Sequence, residues 1–156
     1  MEWLASLFLF LHIGGVIVAF GPTIAFPFIG AKAAQEPMHG NFALRVNELI
    51  GERVVEPGAA FVFLMGVGLI VTKGYNPLTE LWLLVSIVIF LIIFTYSLLV
   101  QVPRVRRMVA LTSGPPPAAA DGAPSGPPPE FQELAAKAAR AGMLSTVGLF
   151  VLVFLM

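Results

Sequence analysis

The one ionisable side chain deep inside a long apolar stretch is His12, so any intramembrane chemistry starts there. An imidazole flanked by Leu11, Ile13, Gly14 and Gly15 is expensive to place in a low-dielectric setting, and it must face a neighbour and hold a partner or a ligand. Two readings stand. In the first, neutral His12 bonds a serine or a backbone carbonyl of an adjacent helix. In the second, it is an axial ligand of haem b, or a copper ligand. One histidine cannot give bis-histidine coordination, and His39 lies beyond the apolar stretch, so a two-histidine site would need a homodimer.

The second cluster is carboxylates. Glu48, Glu52 and Glu56 recur every four residues, which on a helix lines them along one side. Like charges at that spacing repel and invite a cation. Carboxylates alone would suit a hard metal ion, but three are few ligands for one. The nearer partners are Arg104, Arg106 and Arg107, giving a structural polar network; a solvated face is the remaining alternative. The six methionines are scattered, without the tight spacing of a copper–thioether site, so no metal site is expected. No serine–histidine–acid set, phosphate-binding glycine loop or metalloprotease signature occurs, and without cysteine there is no thiolate chemistry. No catalytic residue is assigned.

These side chains must be carried by elements that live in lipid. Of the 156 residues, 58% are hydrophobic and 12% charged, about half the charged share of a typical soluble domain. That is too little to clothe a globular surface in water, and a net charge of zero argues against nucleic acid as a partner. A hydrocarbon core about 30 Å thick takes roughly 20 apolar residues of helix. Four stretches meet this: about 3–31, 54–72, 78–102 and 135–156. The first is too long for one straight crossing, and Gly21-Pro22 and Pro27 predict a kink in it. Met1-Glu2-Trp3 lacks the positive start of a cleaved signal, so this stretch reads as a retained span. Pro57-Gly58 opens the second span, Tyr75-Asn76-Pro77 makes a turn, and Pro103 stops the third. The fourth helix begins near Glu130, with Lys137 and Arg140 snorkelling to headgroups. Residues 112–129, rich in Pro, Ala and Gly, have no apolar face to bury and are expected to be a disordered tether.

The expected fold is therefore all-α, a four-transmembrane-helix bundle forming one membrane domain over residues 1–156. Lys32, Arg45 and Arg53 precede the second span, and Arg104, Arg106, Arg107, Lys137 and Arg140 lie between the third and fourth; only Lys73 falls on the other side. Basic residues in short loops stay cytoplasmic. The expectation is a multi-pass protein of a cell inner membrane with both termini non-cytoplasmic, and with Trp3, Tyr75 and Trp82 near the outer boundary. Small and polar residues pack helices in lipid, which predicts the inward stripes. These are Ala5, Phe8, His12, Gly15 and Ala19 in the first span, and Ala59, Val62 and Gly66, with Gly68 nearby, in the second. In the third they are Ser86, Phe90, Ile93, Ser97, Gln101 and Arg104, and in the fourth Ala138, Ala141, Ser145 and Gly148.

Leu11-His12-Ile13-Gly14-Gly15, continuing through Phe20-Gly21-Pro22 to Pro27-Phe28, resembles the opening of a group of small bacterial multi-helix membrane proteins. The group holds the membrane domain of copper-resistance D proteins, a family of predicted integral membrane proteins of unknown function, and the four-helix haem-dependent protoporphyrinogen oxidase. The uncharacterised family is the nearest likeness. The resemblance to the oxidase implies that His12 matches its haem-binding first-helix histidine. Gly21-Pro22-Thr23 stands where that oxidase has a tryptophan-rich, arginine-bearing continuation. Three functions follow as expectations. The favoured one is a non-catalytic membrane component or accessory subunit that binds lipid and either a second copy or other membrane proteins. The others are a haem-binding or redox-linked protein using His12, and a small transporter acting as a dimer.

Overall fold

The computed structural model describes residues 2–114 and 127–155. Among the described residues, all regular structure is helical and, apart from a short 3-10 turn at Pro37–His39, falls into four rods: Glu2–Gln35, Gly40–Lys73, Leu81–Thr112 and Pro129–Leu155. Each is long and apolar enough to cross a membrane. The shortest has 27 residues, about 40 Å of helix, so every rod outreaches a hydrocarbon core of about 30 Å.

The first rod joins α1 (Glu2–Phe20) to α2 (Phe26–Gln35) through a tight 3-10 turn, Gly21–Ala25. Pro22 and Pro27 each sit in the first positions of the segment they open, where a missing N–H costs little. Thr23 Oγ1 donates to the Phe20 carbonyl at 2.6 Å. The expected break at Gly21-Pro22 and Pro27 is thus a change of helical winding.

The second rod holds α3 (Gly40–Ile50) and α4 (Glu56–Lys73), and the third holds α5 (Leu81–Tyr96) and α6 (Val102–Thr112). Here the prolines do something other than begin and end helices. Pro57 and Pro103 both lie inside continuous rods. Each follows a five-residue π-helical turn, Gly51–Val55 and Ser97–Gln101. An α-helix would need the absent proline N–H and would press the ring against the carbonyl four residues back. Widening the turn removes both conflicts. The Glu56 N–H reaches back to Gly51 O and the Val102 N–H to Ser97 O. The second rod ends at Gly74, whose φ of 69° is left-handed and whose N–H bonds the Ile70 carbonyl. The third begins after an Asn76 turn, in which Asn76 Oδ1 accepts from Leu78 N at 3.0 Å. The fourth rod is α7 (Pro129–Leu155). Of the tether expected over 112–129, residues 115–126 lie outside the described residues.

Rods one and two make the closest contact. A Cβ at Gly58 would stand 2.6 Å from Ala19 Cβ, one at Gly15 2.9 Å from Val62, and one at Gly68 2.5 Å from the Phe8 ring. Only side-chain-free positions allow such an approach, the lipid form of helix packing. Ala5, His12, Ala19, Ala59 and Val62 are buried along this seam. Rod three meets rod two through Phe63 and Phe90, stacked at 5.4 Å, and meets rod four where Ile93 lies against Gly148. Most residues of the predicted stripes thus face a neighbouring rod, but Ser86 bonds the Trp82 carbonyl and Arg104 bonds Gln101 and Tyr96, all within rod three. Outside, Phe10 is 72% exposed and Phe154 88%. Apolar cover on that scale is an exterior for lipid rather than water.

Candidate functional site

The polar side chains form a short column from His12, within the first seam, to the ion pairs at the basic end of the rods. His12 is only 6% exposed. Its Nδ1 lies 2.8 Å from the Val62 carbonyl. A carbonyl can only accept, so Nδ1 carries the proton and Nε2 presents a lone pair. Gly66, one turn beyond Val62, makes room for the ring: a Cβ there would stand 3.2 Å from His12 Cε1. The expected backbone-carbonyl partner is thus present. Nε2 is buried and has no hydrogen-bond partner.

A nitrogen fixed by a carbonyl on one side and free on the other is the usual preparation of a ligating histidine. The surroundings do not fit haem, however. The lone pair is enclosed by the glycine-lined seam, with no accessible surface through which an iron could approach. The groove nearby, lined by Phe10, Leu11, Gly14, Val18, Gly58 and Phe61 among others, opens on the outer side of the seam and does not include His12.

Further along the second rod stands Glu56, on the first residue after the π turn. Ser97 Oγ, on the facing π turn of rod three, donates to Glu56 Oε1 at 2.6 Å, while Oε2 is buried without a partner. Nothing in the spacing of Glu48, Glu52 and Glu56 foretold this pairing; the signal was the matched prolines at 57 and 103, which set the two wide turns opposite one another.

At the basic end, beyond the apolar stretch 54–72, Arg106 Nε donates to Glu52 Oε1 at 2.6 Å. That hydrogen bond holds the Glu52 carboxyl below the usual glutamate range, and the Arg106 guanidinium is raised in turn. Glu48 adds only a longer-range attraction to Arg106. Arg107 turns instead to Glu130 at the start of rod four, at 2.8 Å, a pair the sequence reading did not contain. Arg104 bonds Gln101 Oε1 at 2.7 Å and Tyr96 Oη at 3.3 Å, while Gln101 Nε2 donates to the Ala138 carbonyl of rod four at 3.1 Å. Asn41 Nδ2 donates to Thr112 Oγ1 at 2.9 Å and to the Val109 carbonyl at 3.3 Å, clipping rod two to rod three. The three arginines therefore do not share one acidic stripe. Arg106 and Arg107 tie rod three to rods two and four, while Arg104 bonds within rod three. Among the described residues, no three His, Asp or Glu side chains converge as metal ligands would.

A family model described as predicted integral membrane protein (DUF2269) matches residues 6–156. No curated protein and no solved structure matches the chain.

Proposed function

The chain belongs to the DUF2269 family of predicted integral membrane proteins, and from that premise we propose that it is a non-catalytic membrane component, an accessory subunit that binds a second copy or other membrane proteins. It is a single membrane domain of an inner membrane, crossing at about 3–31, 54–72, 78–102 and 135–156, with its basic rod ends cytoplasmic and both termini opposite. One observation carries the reading: the buried His12, the part-buried Glu56 and Gln101, and the exposed Arg106 at the basic end each end on a neighbouring rod, so they hold a scaffold together. The exposed apolar faces are left for lipid and partners. Photo-crosslinking residues placed singly at Phe10, Leu64, Leu99 and Phe150 test it in native membranes. A discrete protein adduct from one face is expected. Lipid adducts alone at every position would overturn the proposal.

A second reading, haem b on His12, is favoured by the free Nε2 lone pair alone; it needs the seam between rods one and two to open. An absorption spectrum of protein purified in native lipid tests it. A Soret band lost in His12→Ala supports haem, and a colourless preparation removes it.

A further inference from the structure

Two wide turns in neighbouring rods, set at the same level and joined by a serine–carboxyl hydrogen bond, are not needed to pack helices. π turns recur at functional sites. We propose that Glu56 is a proton-binding site set between the two π turns, its carboxyl holding a proton at neutral pH while Ser97 of the facing rod donates to its other oxygen.

The argument begins with what surrounds the carboxyl. An ionised carboxylate offers about four lone-pair sites; here Ser97 fills one at 2.6 Å, and Oε2 is enclosed with none filled. Among the described residues, none of the nearby charges is paired with it. On its own rod, Glu52 is paired with Arg106, and Arg53 makes no ion pair with Glu56 among the described residues. On rod three, Arg104 is bonded to Gln101 and Tyr96. Rod one, which lies along the first π turn, has no ionisable residue between His12 and Lys32, and His12 is held at Val62. An ion without a counter-ion in such a place is far costlier than a neutral group and takes up a proton instead.

The same placement makes the proton exchangeable. Glu52, one helical turn away and about 6 Å along the axis, is on the part-exposed end of the rod, so a proton can leave to water there. Loss of the proton would put an unpaired charge between rods two and three, at the contact Ser97 closes. The site thus makes that contact proton-dependent. It stands independently of both readings above.

Dicyclohexylcarbodiimide, which reacts with protonated carboxyls in apolar surroundings, tests the proposal on the full chain in lipid nanodiscs, with peptide mapping of the adduct. Infrared spectroscopy of the same sample reports the carboxyl state directly. The expected result is labelling at Glu56 and a protonated-carboxyl band, both lost in Glu56→Gln and both fading as pH is raised. Glu56→Gln keeps the size and neutrality of the protonated group, so it retains the fold. Ser97→Ala removes a donor that favours the ionised form, and labelling should persist to higher pH. No label at Glu56 together with no protonated band in the wild-type chain overturns the proposal, as does a Ser97→Ala profile identical to wild type.

Discussion

Replacing Gly58 by alanine adds one methyl group where α1 and α4 meet without a side chain between them. The new Cβ would stand 2.6 Å from Ala19 Cβ and 3.2 Å from Ala19 Cα. Carbon atoms rest at about 3.5–4.0 Å, so the rods must separate by about 1 Å at this level. Neither neighbour is the end of a flexible side chain that could swing aside. Overpacking of this kind costs about 1–3 kcal/mol. Alanine also gains about 1 kcal/mol over glycine inside a helix, which must be removed from the comparison. Gly14→Ala does so: it lies in the same pair of rods, yet its Cβ would meet nothing within 4 Å. Gly58→Ala should therefore be less stable than Gly14→Ala by about 1–3 kcal/mol, roughly 5- to 150-fold in the folded population. Steric trapping or detergent unfolding in bicelles measures this difference. The double variant Ala19→Gly/Gly58→Ala should recover most of the loss, because the closest atom has gone. Equal stabilities of Gly58→Ala and Gly14→Ala would refute the reasoning, since the seam would then not be as close as described.

His12→Leu keeps most of the volume but removes the bond to Val62; since interhelical hydrogen bonds in membranes average about 0.6 kcal/mol and reach about 1.7, the same unfolding assay should show a loss in that range. Charge reversal of Glu52 or Arg106 singly should destabilise the basic end, and the double reversal should be more stable than either single variant; no recovery would dissolve the pair. The pH dependence has a definite sign. Glu52 sits below its ordinary value near 4.5 because of Arg106, so its contribution is present above that value and is lost as pH falls through the lowered one. The stability difference between wild type and Glu52→Gln should accordingly be constant near neutrality and vanish in acid. A difference that grows on acidification would contradict the assignment.

Most of the fold was legible because lipid imposes simple rules. Twenty apolar residues make a crossing, and small residues at helical spacing make a seam, so Ala5, His12, Ala19, Val62 and Gly66 could be placed before any coordinates. The break in rod one was legible in Gly21-Pro22 and Pro27. Pro57 and Pro103 were not legible as interior residues, because in water proline most often begins or ends a helix. In a long apolar rod, tertiary contacts and the absence of competing water keep the helix going, and the strain goes into one wide turn. An unbroken α-helix would set Glu56 on one stripe with Glu48 and Glu52, whereas the π turn rotates it onto Ser97. The Arg107–Glu130 pair was hidden for a different reason, since periodicity within one helix carries no information about which neighbour its ends meet.

Everything rests on four rods crossing one bilayer with their basic ends together. The chain has no native cysteine, so single cysteines at Glu2, His39, Asn76 and Ser113 can be labelled with a membrane-impermeant maleimide in right-side-out and inverted vesicles. Glu2→Cys and Asn76→Cys should react only from the outer side, and His39→Cys and Ser113→Cys only from the inner. Labelling of Glu2→Cys and Asn76→Cys from opposite sides, or of all four from one side, would contradict the account.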